Sequence, residues 1–369
     1  MNTSNFSMPL IFNGKFYSGR LNGVHRVADR LIRQIDHILT AQPMSERKRA
    51  RIYLPAERTW SPHLETIEIV EDSRANSQRW EQMTLPGLAA DGILINLCNL
   101  APLRHRRKLL LVHDAQFLFS DSSYPTLQRL GYTYLIPLMA SRAQRVLTVS
   151  EYSKRILDVS HVSASERTSV LYNGVDHMLD AVSQPTTLAE FGIEPQRYVM
   201  IFGSPKEYKN VDVVFRAFRD PRLIGQTLVV VGEGEAALRA AGLDPPPDAR
   251  FVGPIDDGQL RALYEQATCL AFPSKTEGFG LPPLEGMLLG CPAVVAPAGA
   301  IPEVCHDAVL YASVDDPAEW ADAIVTIATD RELRAAKIAT GRTRAAHFTW
   351  ARAGQRLLDM AMTLDSRGR

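Results

Sequence analysis

At 369 residues the chain is longer than one hydrophobic core usually organises, and two domains of ~100–200 residues each suit it. With 46% hydrophobic and 22% charged residues it can bury sizeable cores, which excludes a disordered or collagen-like polymer. Its 41 basic and 41 acidic residues leave a formal net charge of zero, which argues against a nucleic-acid binder. The four cysteines (Cys98, Cys269, Cys291, Cys305) lack metal-ligand spacing and read as buried free thiols in a reducing compartment. Residues 1–8 are polar and no apolar run reaches ~18 residues, so neither a signal peptide nor a membrane span is expected. The expected location is the cytoplasm, with peripheral contact at the inner face of a membrane left open.

In chain order, a short strand at residues 9–12 ends at Asn13-Gly14 and leads to a loop ending Leu21-Asn22-Gly23. A helix follows over residues 24–39, where Val24, Val27, Leu31, Ile35 and Leu39 recur every three or four positions. A strand, a glycine loop and a helix offer free N–H groups to a phosphate at the helix start, with a plain turn as the alternative for Gly23. Further strands are expected at residues 51–54, 67–70, 93–97 and 109–112, and the polar stretch 73–85 reads as helix or loop. Strands alternating with helical segments argue for a parallel α/β sheet. The run Arg104, His105, Arg106, Arg107 and Lys108 reads as a solvated basic face. The strand after it ends in His113-Asp114, at the sheet edge where open α/β folds bind ligands. A histidine there can share a proton with a hydroxyl, although a turn pair is the bland alternative. A helix over 124–140, with Pro137 as the place for a bend, precedes a strand at 145–149 and a helix capped by Ser150. The first domain closes at Asn173-Gly174-Val175-Asp176, and the polar residues 177–197 read as a linker.

The second domain, residues 198–347, opens with a strand and the loop Gly203-Ser204-Pro205-Lys206-Glu207-Tyr208-Lys209-Asn210. An amphipathic helix follows, so Lys209 stands at a strand–loop–helix junction where it can neutralise a diphosphate; a solvated lysine is the alternative. Gly232-Glu233-Gly234 is a weak signal that close packing explains equally well. The most informative stretch runs over residues 271–304, AFPSKTEGFGLPPLEGMLLGCPAVVAPAGAIPEV. Gly278-Phe279-Gly280 lets backbone approach a ligand, and Pro282 and Pro283 suit a first helical turn, where a missing N–H costs nothing. Glu277 and Glu285 bracket this loop with seven residues between them. Residues 348–369 supply Phe348-Thr349-Trp350 and a last helix reaching 362.

Glu277, Gly278, Phe279, Gly280, Leu281, Pro282 and Glu285 match the E-G-F-G-L-P-x-x-E signature of family 4 glycosyltransferases, which the block resembles closely. Gly23-Val24-His25-Arg26, His113-Asp114, Asn173 to Asp176, Lys209-Asn210, residues 251–254 and the Phe348 turn resemble further segments of that family. The resemblance implies a GT-B fold: two Rossmann-like parallel-sheet domains facing across a cleft, with the C-terminal helix crossing back to the first. It also implies a retaining transferase in which Lys209 meets the donor diphosphate. Glu285 would bind the ribose hydroxyls and Glu277 a hydroxyl of the transferred sugar. Residues 278–281 would give N–H groups to sugar and phosphate, Gly253 and Pro254 would lie near the base, and Gly23 and His113 would contact donor or acceptor. Where family members often carry arginine, this chain has Ser204 and Tyr208, which leaves the phosphate charge to Lys209, backbone N–H groups or Lys206.

Departure of a diphosphate leaves positive charge on the anomeric carbon and negative charge on the phosphate, so fixed donors aimed at the phosphate lower the barrier. No Asp-x-Asp triplet occurs, so a metal-clamped diphosphate is not expected and no cofactor is. The loops most resemble members that add mannose from GDP-mannose to bacterial surface polysaccharides, with UDP-hexoses left open. The partners implied are a nucleotide sugar and a glycan or lipid-linked saccharide acceptor; for a lipid-linked acceptor the basic run 104–108 would meet anionic head groups. A sugar-nucleotide epimerase and a non-catalytic scaffold of the same shape are the rival readings.

Overall fold

The computed structural model describes residues 8–118 and 126–366. The chain divides into two units, Met1–Asn173 with Trp350–Arg369, and Gly174–Thr349. The first carries seven parallel strands: β1 (Leu10–Asn13), β2 (Ala50–Pro55), β3 (Glu68–Asp72), β4 (Ile93–Asn96), β5 (Lys108–Leu111), β6 (Arg145–Thr148) and β7 (Thr168–Val170). Their order is β3-β2-β1-β4-β5-β6-β7. Leu10 pairs with Ala50 on one side and Ile93 on the other, so the order reverses between β1 and β4. Every residue of β1, β4 and β5 is buried, as expected of parallel strands covered on both faces.

Local chemistry sets the element ends. Asn22 caps the first helix (Gly23–Thr40) by accepting from the His25 N–H at 3.0 Å. The buried Asp36 on that helix accepts the amides of Glu65, Thr66 and Ile67 at 2.7–2.9 Å. These amides are spent on a carboxylate, so β3 starts at Glu68, one residue after the expected position. The terminal helix (Trp350–Ser366) packs along the first helix within the same unit. Gly354 permits the close approach, since a Cβ there would stand 2.5 Å from Gln34 Cγ. Phe119 and the start of the helix expected at 124 lie outside the described residues; the helix observed is Thr126–Ser141, with Pro137 inside it.

The second unit carries β8 (Tyr198–Gly203), β9 (Thr227–Gly232), β10 (Arg250–Gly253), β11 (Cys269–Phe272), β12 (Ala293–Val295) and β13 (Leu310–Tyr311), all parallel. Their order is β10-β9-β8-β11-β12-β13, which reverses between β8 and β11. The supposed linker 177–197 is folded into this unit. It forms the helices His177–Asp180 and Thr186–Glu190, buries Met178, Leu188 and Ile193, and is held by Arg261 Nη1 donating to the carbonyls of Leu179 and Ala181. Helices of four and five residues are too short to show a period in sequence.

Cys269, Cys291 and Cys305 are buried and Cys98 is half-buried, all as free thiols. Burial pushes all four thiols up, those of Cys291 and Cys305 to about 12.

The basic run departs from the expected solvated face. Arg104, Arg106 and Arg107 are exposed, but His105 is buried and Lys108 is fully so at the start of β5. Lys108 Nζ donates to the carbonyls of Pro102 and His105 at 2.7 and 2.8 Å, and burial lowers its pKa to about 8. A neutral amine still has the two protons these bonds need. Between pH 8 and the ordinary lysine value of about 10.4 the unfolded chain holds a proton that the folded chain has lost, so stability rises with pH across that window. Lys108→Met should remove roughly 1–3 kcal/mol of this rise. Denaturant unfolding of both proteins between pH 7 and 10.5 checks it, and parallel pH profiles would refute it.

Candidate functional site

The reversal between β8 and β11 lets the loops leaving their carboxyl ends diverge, which is where open α/β sheets make room for ligands. The β8 loop ends in the turn Glu207–Lys209 and then Asn210, whose φ of +54° is left-handed. Asn210 holds that strained conformation with its own side chain, Nδ2 donating to Val314 O at 2.8 Å and to Pro273 O at 3.2 Å. The Lys275 N–H donates to Tyr208 O at 2.7 Å, which ties the two loops together. Lys209 Nζ lies 2.7 Å from Glu277 Oε1, and 5.2 and 5.6 Å from the Tyr208 and Phe272 ring centroids. The lysine is therefore held by one carboxylate and two aromatic faces.

Glu277 is positioned through its backbone. Ala300 N donates to Glu277 O at 3.0 Å, and Gly299, at φ +63°, packs so closely that a Cβ there would lie 2.6 Å from the same oxygen. Gly280 has φ +103°, and a Cβ would strike Ile301 Cδ1. Pro282 and Pro283 lack N–H groups, so Leu281 and Leu284 carry the amides of the first turn of the helix Leu281–Leu289. Phe279 turns inward: it is 4% exposed and packs edge-on against Phe348 at 5.6 Å. Its side chain anchors the loop, and toward a ligand it has only backbone to offer.

Glu285 is buried on that helix. Its Oε1 lies 3.3 Å from His177 Nε2 and its Oε2 lies 3.4 Å from the Tyr264 hydroxyl. Ser204 Oγ accepts from the Lys206 N–H at 3.3 Å, and Lys206 is exposed. Gly253 ends β10 at φ +65° with open space where a Cβ would point, and Pro254 follows, exposed.

Two expected site residues belong to the first unit. His113 follows β5; its N–H donates to Asn99 Oδ1 and its Nε2 lies 2.8 Å from Leu97 O. Burial lowers the ring pKa to about 4, so the imidazole is neutral at pH 7. Nε2 must carry the proton to donate to a carbonyl, which leaves Nδ1 as an acceptor and rules out a general acid. Asp114 Oδ1 accepts from the Gln116 N–H at 3.1 Å, as a turn residue does. Gly23 opens the first helix with nothing within 4 Å of an added Cβ, so neither packing nor backbone angle requires glycine there.

Sequence reasoning missed four side chains at the β1–β4 reversal. Asn13 Nδ2 donates to Glu81 Oε1 at 2.6 Å and to Asn96 Oδ1 at 3.1 Å, and Lys15 Nζ meets Glu81 Oε2 at 2.8 Å. An asparagine inside the apolar run 93–97 was the available signal. His177 and Tyr264 were missed as well. Among the described residues, no group of three or more His, Cys, Asp or Glu is placed to hold a metal ion.

Residues 196–330 match the family described as "Glycosyl transferases group 1". The O-antigen chain mannosyltransferase RfbU of Salmonella typhimurium is 26% identical over 60% of this chain and 61% of its own length. The D-inositol 3-phosphate glycosyltransferase of Salinispora arenicola is 29% identical over 70% of this chain and 63% of its own. The chain thus spans about three-fifths of the length of these curated relatives. Sucrose-phosphate synthase from Thermosynechococcus elongatus superposes with a TM-score of 0.73 at 16% identity, covering 98% of this chain and all of that one. HepE from Anabaena, in complex with UDP and glucose, gives a TM-score of 0.69 at 19% identity over 96% of this chain and 99% of that one. The chain therefore has the GT-B fold that the family 4 resemblance implied, and its second unit contains the residues that match the group 1 model.

Gly299→Ala should place a methyl group against the Glu277 backbone from a left-handed residue and destabilise the protein by about 1–3 kcal/mol. Thermal and denaturant unfolding measure it. Wild-type stability in that variant would mean that the 296–300 loop does not clamp Glu277.

Proposed function

We propose that the chain is a retaining glycosyltransferase of polysaccharide biosynthesis. It moves a hexose, in first place mannose from GDP-mannose, from a nucleotide sugar to a glycan or lipid-linked saccharide acceptor. The observation that carries this reading is the Lys209–Glu277 contact at the β8–β11 reversal, beside a glycine loop opening a helix. A bound diphosphate would take Lys209 from Glu277, and the freed carboxylate would accept from a hydroxyl of the transferred sugar. The amides of residues 278–281 face the charge that develops as the diphosphate departs, and Glu285 accepts from the ribose. Retention then follows from attack on the face the leaving group vacates, with Glu277 as a sugar contact rather than a nucleophile. His113, neutral, accepts a hydrogen bond from a hydroxyl through Nδ1, while Gly23 leaves room for backbone to approach the ligand.

The similarity to RfbU supports mannose, and the HepE complex supports UDP-glucose as the second reading. The scaffold reading draws on Ser204 and Tyr208 standing where arginine is frequent in the family. Among the described residues no helix is long and apolar enough to cross a membrane. The helix Thr126–Ser141 nevertheless exposes Leu130, Tyr134, Leu135 and Leu138, which supports peripheral contact with the membrane that holds a lipid-linked acceptor at its cytoplasmic face.

Calorimetry against GDP, UDP, GDP-mannose and UDP-glucose, with EDTA and then with magnesium, tests the donor. One nucleotide should bind without metal, and Glu285→Ala should abolish that binding. Lys209→Ala should lower turnover about 10²–10³-fold, the usual effect of removing one fixed donor to developing charge. Full turnover without Lys209, or silence from all four ligands in folded protein, would sink the assignment. For the membrane, Tyr134→Glu with Leu138→Glu should weaken co-sedimentation with anionic vesicles, and unchanged sedimentation would remove that contact.

A further inference from the structure

We propose that His177 is a positioning residue for nucleotide recognition: it holds the Glu285 carboxylate in the orientation that reads the ribose hydroxyls. The proposal rests on the nucleotide-sugar reading above and adds to it a residue that no motif singles out.

Glu285 comes from the first turns of the helix Leu281–Leu289 and is 6% exposed, so little water reaches it. A carboxylate this deep is costly to bury without polar groups close by. Two side chains from elsewhere in the same unit approach its two oxygens. The imidazole of His177, 1% exposed, brings Nε2 to 3.3 Å from Oε1, within ion-pair distance but outside hydrogen-bond geometry, and the Tyr264 hydroxyl donates to Oε2 at 3.4 Å. Each carboxylate oxygen has two acceptor sites and only one of these neighbours, so each keeps lone-pair capacity for a further donor. The pair fixes the plane of the carboxylate without consuming it. A vicinal diol presenting two O–H groups suits what remains.

The chain path explains why His177 can do this. It lies just past Gly174, where the second unit begins, on a segment anchored by Val175 N donating to Phe348 O at 2.9 Å. Phe348 packs edge-on against Phe279 of the glycine loop. The segment that carries His177 and the loop that precedes Glu285 thus share one support, and the imidazole meets the carboxylate at a set place. Tyr264 arrives independently, from the helix Asp257–Gln266.

The test compares the affinity of the full-length protein for GDP and UDP with that for 2′-deoxy-GDP and 2′-deoxy-UDP. Removing one hydroxyl that a charged acceptor reads should cost wild type about 10-fold or more in affinity. His177→Leu, which keeps volume and loses the donor, should bring the ribose and deoxyribose affinities to within about 2-fold. His177→Gln, whose amide nitrogen reaches about as far as Nε2, should restore most of the difference. In Glu285→Gln the ratio should already be lost, and His177→Leu added to it should change nothing further. Wild-type discrimination in a folded His177→Leu protein would overturn the role of His177 and leave the nucleotide reading intact. Wild-type protein that binds none of the four probes would overturn both. Should His177→Leu fail to fold, His177→Ala together with Tyr264→Phe carries the comparison: loss of discrimination there supports the paired restraint, and full discrimination there removes it.

Discussion

Much of the second unit is arranged around one contact between opposite charges. Lys209 and Glu277 retain 27% and 13% side-chain exposure, so neither sits comfortably alone beside the rings of Tyr208 and Phe272. Taking a single charge out of water costs several kcal/mol, and mutual attraction repays this only when the geometry holds. The surrounding chain supplies that geometry from both sides. A left-handed Asn210 sets the lysine loop, and the packing of Gly299 on its backbone sets the glutamate. The reversal of strand order provides the space, and these two backbone positions turn the space into a charged site.

The first unit handles polarity differently. At its own strand reversal, Asn13, Lys15, Glu81 and Asn96 form a closed network in which each partner is used by another member. Lys108 and His113 are also buried, and both bond to backbone carbonyls rather than to acids. Their basicity falls for the same reason, desolvation without a counter-charge. The second unit thus keeps a charged pair in play, while the first mostly neutralises or encloses its polar groups.

The parts of this arrangement that were legible in sequence are those set by local geometry. A glycine at φ +103°, two prolines in a first helical turn and an acid on either side make a pattern spanning nine residues, so the loop, its helix and both glutamates could be named. That the sheets are parallel was legible, since alternating strands and helices imply it, but the order of the strands was not. What escaped depends on partners far apart in sequence. Asn13 and Glu81 are separated by 68 positions, and nothing near either announces the other. His177 was hidden by the shortness of its helix, which made its segment look like a linker. The basic run misled because composition shows charge and not depth: Lys108 continues directly into β5, where its side chain has no route to water.

The four thiols have a practical side. Each sits where burial keeps it protonated well above neutral pH, and reaction with electrophiles proceeds through the thiolate. Maleimides and mild oxidants would find almost no thiolate on the native protein. A cysteine placed on an exposed surface position would then outcompete the native four, so fluorophores or spin labels could be attached at chosen points without first stripping the chain of its own sulfur.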